Sequence, residues 1–253
     1  MVSPFLYLQG STASFEYPRR DLPAHVHFVG PLLPPSSRGT EVAPWLAALG
    51  NKRPLVLVNQ GTVATDPADL VLPAIEAFAD DDVDVVTTGV APEAVRRPIP
   101  ANVHVRAFVP FAELLPRVSV AVTNGGFGSV QAALAHGVPL VVAGMSEDKP
   151  DIAARVAWSG AGIRLPFRSP SPEVLRGAVH DVLDGSRYRR QAEAFRREID
   201  ATDAPRLAAG LVETLAATGR PVTPTLSDRS GKGSDPRLMG REVVRATDAH
   251  SPS

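Results

Sequence analysis

Two rhythms of apolar residues alternate through the middle of the chain. Short continuous runs come first: Leu55-Val56-Leu57-Val58 and Leu140-Val141-Val142-Ala143, with β-rich stretches at residues 83–88 and 118–123. Runs of this length, apolar at every position, suit strands covered on both faces, which implies a parallel sheet. Helical spacing follows the runs at residues 67–79, 127–136 and 152–158, and again at 172–183, 186–199 and 204–217. The helix at 127–136 has a plain stop, with His136 in its last turn and Gly137 just beyond. Repeated strand–helix units of this kind predict an α/β fold: a doubly wound, mainly parallel, Rossmann-like sheet. In such a sheet the ligand binds beyond the carboxyl ends of the strands.

Both ends depart from this rhythm. Residues 1–39 hold two short strand candidates, at 5–8 and 26–29, and close on the turn-rich Pro31-Leu32-Leu33-Pro34-Pro35-Ser36-Ser37-Arg38-Gly39. Residues 219–253 mix Pro, Ser, Thr, Gly and both charges without a periodic apolar face, which predicts a disordered tail. The expected organisation is therefore a partial N-terminal unit with a linker (1–39), a ligand-binding domain (40–218) and a tail (219–253).

Composition narrows the function classes. With 26 basic and 27 acidic residues and a net charge of -1, the chain has no field to draw in nucleic acid or an anionic membrane. It has no cysteine, which excludes disulfides and thiolate metal sites and permits a reducing compartment. The opening Met1-Val2-Ser3-Pro4-Phe5-Leu6-Tyr7-Leu8 lacks the basic start and apolar length of a signal peptide. No apolar run approaches the ~20 residues of a membrane span. The expectation is a cytoplasmic protein with no membrane span.

The segment richest in chemistry is Thr123-Asn124-Gly125-Gly126-Phe127-Gly128-Ser129, where a strand ends and a helix starts. Gly125, Gly126 and Gly128 remove side chains at a place where the helix presents unpaired N–H groups and the positive end of its dipole. Ser129 adds a hydroxyl. The combination suits a diphosphate; a tight turn that merely needs glycine accounts for it equally well. Neither G-x-G-x-x-G nor a P-loop is present, because Gln131 stands where the third glycine should be and no Lys-Ser or Lys-Thr follows. A second loop, Asn59-Gln60-Gly61-Thr62-Val63, leaves the first core strand at the same edge; Gly61 and Thr62 could donate to the same anion. A third, Ser146-Glu147-Asp148-Lys149-Pro150, follows residues 140–143. It offers Asp148 and Lys149 to a sugar or phosphate, or simply caps a helix.

These segments, in this order, resemble the C-terminal, donor-binding domain of the UDP-glycosyltransferase superfamily, including bacterial macrolide and natural-product glycosyltransferases. The specific match runs from Arg106-Ala107-Phe108-Val109-Pro110 through Thr123–Ser129 and Ala135-His136-Gly137-Val138-Pro139 to Asp148-Lys149. The resemblance implies a GT-B architecture of two facing Rossmann-like domains. It implies a metal-independent hexosyltransferase that takes a UDP- or dTDP-sugar to a small-molecule acceptor and needs no cofactor. It puts Phe108 and Val109 at the base. Gly61, Thr62, Asn124, Gly125, Gly126, Gly128 and Ser129 fall at the diphosphate, and Asp148 and Lys149 at the sugar. Asn124 stands for a histidine, Lys149 for a glutamine, and Ala132 for a glutamate that holds the ribose in many members. The catalytic base, a histidine, lies in an N-terminal acceptor-binding domain of which residues 5–34 look like the last piece; His25 and His27 do not match it. The chain is then the donor half of an enzyme, or a non-catalytic nucleotide-sugar-binding subunit needing an acceptor-domain partner chain. A nicotinamide-dependent dehydrogenase is the remaining reading, opposed by the missing fingerprint.

Other polar clusters read as structural. The run Asp80-Asp81-Asp82-Val83-Asp84 precedes a strand, at the edge opposite the anion site, and reads as a solvated turn. The histidines lack metal-ligand spacing. The arginines 187, 189, 190, 196 and 197 read as the solvated face of a helix.

Overall fold

The computed structural model describes residues 3–34, 43–61 and 66–223. In chain order the elements are β1 (Tyr7–Gln9), β2 (Val26–Phe28), α1 (Pro44–Ala47), β3 (Leu55–Asn59), α2 (Val71–Ala77), β4 (Asp84–Thr88), β5 (Val103–Val105), α3 (Phe111–Leu114), β6 (Val120–Thr123), α4 (Phe127–Ala135), β7 (Leu140–Ala143), α5 (Lys149–Trp158), β8 (Gly162–Leu165), α6 (Pro172–Asp184), α7 (Ser186–Asp200) and α8 (Ala204–Thr218).

The main sheet has six strands in the order β5-β4-β3-β6-β7-β8, every neighbouring pair parallel. The chain winds outward from β3 to β5, returns to the centre, and winds the other way from β6 to β8. That reversal is the topological switch point of a Rossmann-like sheet, and it falls between β3 and β6. The continuous apolar runs are buried because both faces are covered. Val56, Val58, Val120 and Val122 pack with α2 and α6 on one side. Leu55, Leu57, Ala121 and Leu140 pack with α4, α5 and α7 on the other. The α/β expectation holds.

Strands β5 and β8 were not anticipated from the apolar pattern. Each is short and lies at an edge of the sheet, and β8 reads Gly-Ile-Arg-Leu, with Ile163 partly covered and Arg164 exposed.

The N-terminal segment forms a separate two-stranded sheet, β1 and β2 in parallel. Its crossover nevertheless inserts Phe15, 1% exposed, into the α4/α7 side of the main core, edge-on to Phe195 with ring centroids 6.0 Å apart. Glu16 pairs with Arg155 of α5 at 3.0 Å. A boundary near residue 39 divides the sequence, not the packing.

The expected start of the tail at residue 219 needs correcting. Gly219 ends α8 in the left-handed region (φ 60), and the chain continues onto the N-terminal sheet. The Val222 N–H donates to the Phe5 carbonyl at 2.8 Å, and the Val222 carbonyl lies 2.9 Å from His27 Nε2. Backbone pairing thus holds residues that lack a periodic pattern. Residues 224–253 lie outside the described residues, as does Thr62. Among the described residues no helix is long and apolar enough to cross a membrane, and no group of acidic or histidine side chains could hold a metal ion.

Candidate functional site

The switch point places the end of β3 beside the end of β6, with Asn59 opposite Thr123 in register. The two loops that leave these strands are tied together by Asn124. Its Nδ2 donates to the Gln60 carbonyl at 2.6 Å, and its Oδ1 accepts from the Gly126 N–H at 3.2 Å. Gly61 lies directly against this amide. Its φ is +87°, and a Cβ there would sit 2.7 Å from Asn124 Nδ2, so only glycine allows the loops to meet. Asn124, 9% exposed, therefore acts first as a clamp between two strand-to-helix loops.

The glycines of the second loop divide by role. Gly125 is buried at φ +89°, with a Cβ position 3.0 Å from Val142 Cγ1; the turn itself requires it. Gly128 is different. It lies inside α4, is exposed, and an added Cβ would meet nothing within 4 Å. Glycine at a helical position costs about 0.5–1 kcal/mol relative to alanine. Gly177 in α6 and Gly210 in α8 are equally unconstrained, so what sets Gly128 apart is its place in the first turn of α4 at the switch point. The first bond of the α4 ladder runs from the Val130 N–H to the Gly126 carbonyl at 3.1 Å. The N–H groups of Phe127, Gly128 and Ser129 thus precede the ladder, at the positive end of the helix. The Ser129 hydroxyl is half-buried beside them and receives Asn59 Nδ2 at 2.7 Å. Asn59 was not among the anticipated site residues. Its position at the head of the Asn59–Val63 loop was the available signal, but a polar residue ending an apolar strand has no single meaning.

The remaining anticipated residues differ widely in exposure. Phe108 follows β5 and is 80% exposed, the most exposed large apolar side chain among those described. Val109 is not a surface residue: at 5% exposed it joins the apolar cluster with Leu114 and Val130, so only its backbone is left to face a base. Asp148 is exposed at the start of α5. Lys149 is 6% exposed and folds back on its own turn, its Nζ donating to Glu147 Oε2 at 2.5 Å and Ser146 Oγ at 3.0 Å. Its ammonium is engaged within the loop. Glu147 holds φ +57°, the left-handed region that costs a non-glycine residue about 1–2 kcal/mol. Ala132 is buried among apolar side chains at 7% exposed.

The structural readings of the other clusters are corrected in two places. Asp84 is no solvated turn residue: it is 6% exposed and receives Arg53 Nη2 at 2.6 Å. Arg189 is not a solvated arginine either. It donates to the Gly137 carbonyl at 3.0 Å and the Ser119 carbonyl at 2.9 Å, and burial lowers its pKa. Both lie at the amino edge of the sheet. His136 closes its own helix, with Nδ1 2.8 Å from the Ala132 carbonyl.

Comparison with known proteins agrees with this geometry. Residues 72–215 match the family described as erythromycin biosynthesis protein CIII-like, C-terminal domain. The chain is 50% identical to the 4'-demethylrebeccamycin synthase of Lentzea aerocolonigenes over 85% of its own length and 51% of that protein's. Its structure is similar to that of the calicheamicin glycosyltransferase CalG4 (TM-score 0.69, 28% identity, 84% of this chain and 54% of that one). It is equally similar to the spinosyn rhamnosyltransferase SpnG complexed with thymidine diphosphate (TM-score 0.69, 27% identity, 85% and 57%). The chain spans about half the length of the relatives it matches. A Rossmann-like sheet, a glycine-rich helix start at its switch point and these matches together make the chain a member of the erythromycin biosynthesis protein CIII-like C-terminal domain family, with the Rossmann-like fold of the half of the GT-B glycosyltransferases that it covers.

Proposed function

We propose that the crevice between β3 and β6 binds the diphosphate of a nucleoside diphosphate sugar, so that this chain supplies the donor half of a hexosyltransferase. The observation that carries the reading is the start of α4 at the switch point, where Gly128 leaves open space beside N–H groups that precede the helix ladder. Its missing side chain lets an oxyanion approach the N–H groups of Phe127, Gly128 and Ser129. Backbone donors and the helix dipole meet the charge that develops on a departing nucleoside diphosphate. The acceptor oxygen displaces that leaving group at the anomeric carbon. Because the helix end supplies positive charge, the reaction is proposed to run without a metal.

The exposed ring of Phe108 offers a stacking face for the base, and Asp148 offers a carboxylate to sugar hydroxyls. SpnG, a structural neighbour, holds thymidine diphosphate, which supports a uridine or thymidine diphosphate sugar as donor. Lys149 belongs to the sugar side by position, but its bond to Glu147 must open before it reaches a ligand. The small-molecule acceptor and the group that takes its proton are assigned to an acceptor-binding half, in a longer chain or a partner chain. The cytoplasm is the proposed compartment, in keeping with a chain free of cysteine.

Calorimetric titration with uridine and thymidine diphosphates in excess chelator tests the proposal. Saturable binding of either supports it. A strict metal requirement overturns the metal-free reading, and binding of NAD in place of both overturns the assignment.

A further inference from the structure

Resting on the nucleoside diphosphate reading, we infer that Asn59 is a positioning residue that aims the Ser129 hydroxyl proton at the diphosphate. Asn59 ends β3 and is 8% exposed. One end of its carboxamide receives two donors, the Thr88 hydroxyl at 3.1 Å and the Gly61 N–H at 3.3 Å. That end must therefore be the oxygen, which fixes the amide orientation. The nitrogen then faces Ser129 and donates to Oγ at 2.7 Å.

The consequence lies in the proton count. A hydroxyl carries one proton, and an amide NH2 accepts none. Ser129 cannot donate back to Asn59. Its proton must go to another acceptor, and a helical serine ordinarily returns it to a carbonyl one turn earlier. Among the described residues Ser129 makes no such bond. With one of its two lone pairs taken from the strand side, the hydroxyl is left to donate toward the open space beside Gly128.

Thr88, Asn59 and Ser129 thus form a one-way chain across β4, β3 and α4. Each member donates to the next, and the last proton is presented to the ligand. Thr88 is 4% exposed, so the chain starts in the core and ends at the site. Donors in series polarise one another, which strengthens the terminal one toward an anion.

The test is a double-mutant cycle on the full chain, reading the dissociation constants of uridine and thymidine diphosphates. Asn59→Ala should weaken binding about tenfold when Ser129 is present. When Ser129→Ala is already in place, Asn59→Ala should change affinity by less than about twofold. Asn59→Asp guards against a folding failure, because it keeps both acceptor bonds to Thr88 and Gly61. It reverses the last link by accepting the Ser129 proton, and it should weaken binding more than Asn59→Ala. That excess should shrink severalfold in the Ser129→Ala background. Equal losses with and without Ser129 would make Asn59 a structural residue and overturn the inference alone. A wild-type chain that binds neither diphosphate overturns the functional reading as well.

Discussion

The two edges of the main sheet use polar residues in opposite ways. At the amino edge the buried Asn102 and Asp84 close on the protein. Asn102 Nδ2 donates to the carbonyls of Phe78 at 2.8 Å and Val83 at 2.9 Å. Asp84 takes Arg53, and Arg189 spans the Gly137 and Ser119 carbonyls. At the carboxyl edge the internal bonds stop one step short. Asn124 and Asn59 tie the loops together, while the N–H groups of Phe127, Gly128 and Ser129 precede the first ladder bond of α4. If the proposed diphosphate site is right, stability is concentrated at one edge and ligand recognition at the other, and a substitution should affect one property and spare the other.

Gly128 gives the largest expected separation. Replacing it with alanine meets no protein atom within 4 Å and removes a flexible residue from a helix. Stability should rise by about 0.5–1 kcal/mol. The new methyl occupies the path of the oxyanion and lengthens several charge-assisted hydrogen bonds at once, which should cost about 3–4 kcal/mol of nucleoside diphosphate affinity. Paired thermal melts and titrations check this. A variant that binds normally would mean that the glycine serves no ligand.

What the sequence disclosed about these edges follows from what kind of signal each edge leaves. The doubly wound sheet was legible because its central strands are buried on both faces and must be apolar throughout, as in Leu55–Asn59 and Leu140–Ala143. The α4 loop was legible because glycines cluster where a strand gives way to a helix, although only Gly125, at φ +89°, is required by the turn itself. The partners of the amino edge were not. Asp84 and Arg53 stand 31 residues apart, and Arg189 meets Gly137 from 52 residues away. Long-range pairings leave no local pattern, so a charged stretch resembles a solvated one. The burial of the Val109 side chain was hidden for a related reason: it adjoins the exposed Phe108, yet the loop turns it into the core.

Asn102 gives the converse separation. Its side chain is the shared donor for the turn between α2 and β4, and it is 7% exposed. Asn102→Ala leaves two buried carbonyls short of a donor and should destabilise the fold by about 2–3 kcal/mol. Nucleotide affinity, measured where both proteins are fully folded, should be unchanged. Arg189→Ala should act alike but more weakly, by about 1–2 kcal/mol, because its guanidinium is only half-buried and water replaces part of what it supplies. Denaturant melts rank the pair, and a larger effect from Arg189 would show that its hydrophobic stem contributes more than its bonds.

His104 gives the smallest effect and the most specific signature. It sits on β5, its ring 6.0 Å from Trp45, with the Arg106 guanidinium 4.5 Å over that same indole. Burial lowers its pKa first, and the positive charge of Arg106 adds to the shift; Asp84 opposes it, and Arg53 assists. The unfolded chain therefore binds a proton near the ordinary histidine value of about 6.5, while the folded chain still resists. Between the two values the unfolded state holds more protons, so stability increases with pH across this window. Full stability is present above about 6.5 and is lost as the pH falls toward the depressed folded value. His104→Asn should leave the melting temperature near neutrality almost unchanged and flatten its decline on acidification. The difference between the two pH profiles isolates this group from the other histidines. An identical slope in both proteins would mean that the folded ring titrates freely and that the charges around β5 do not reach it.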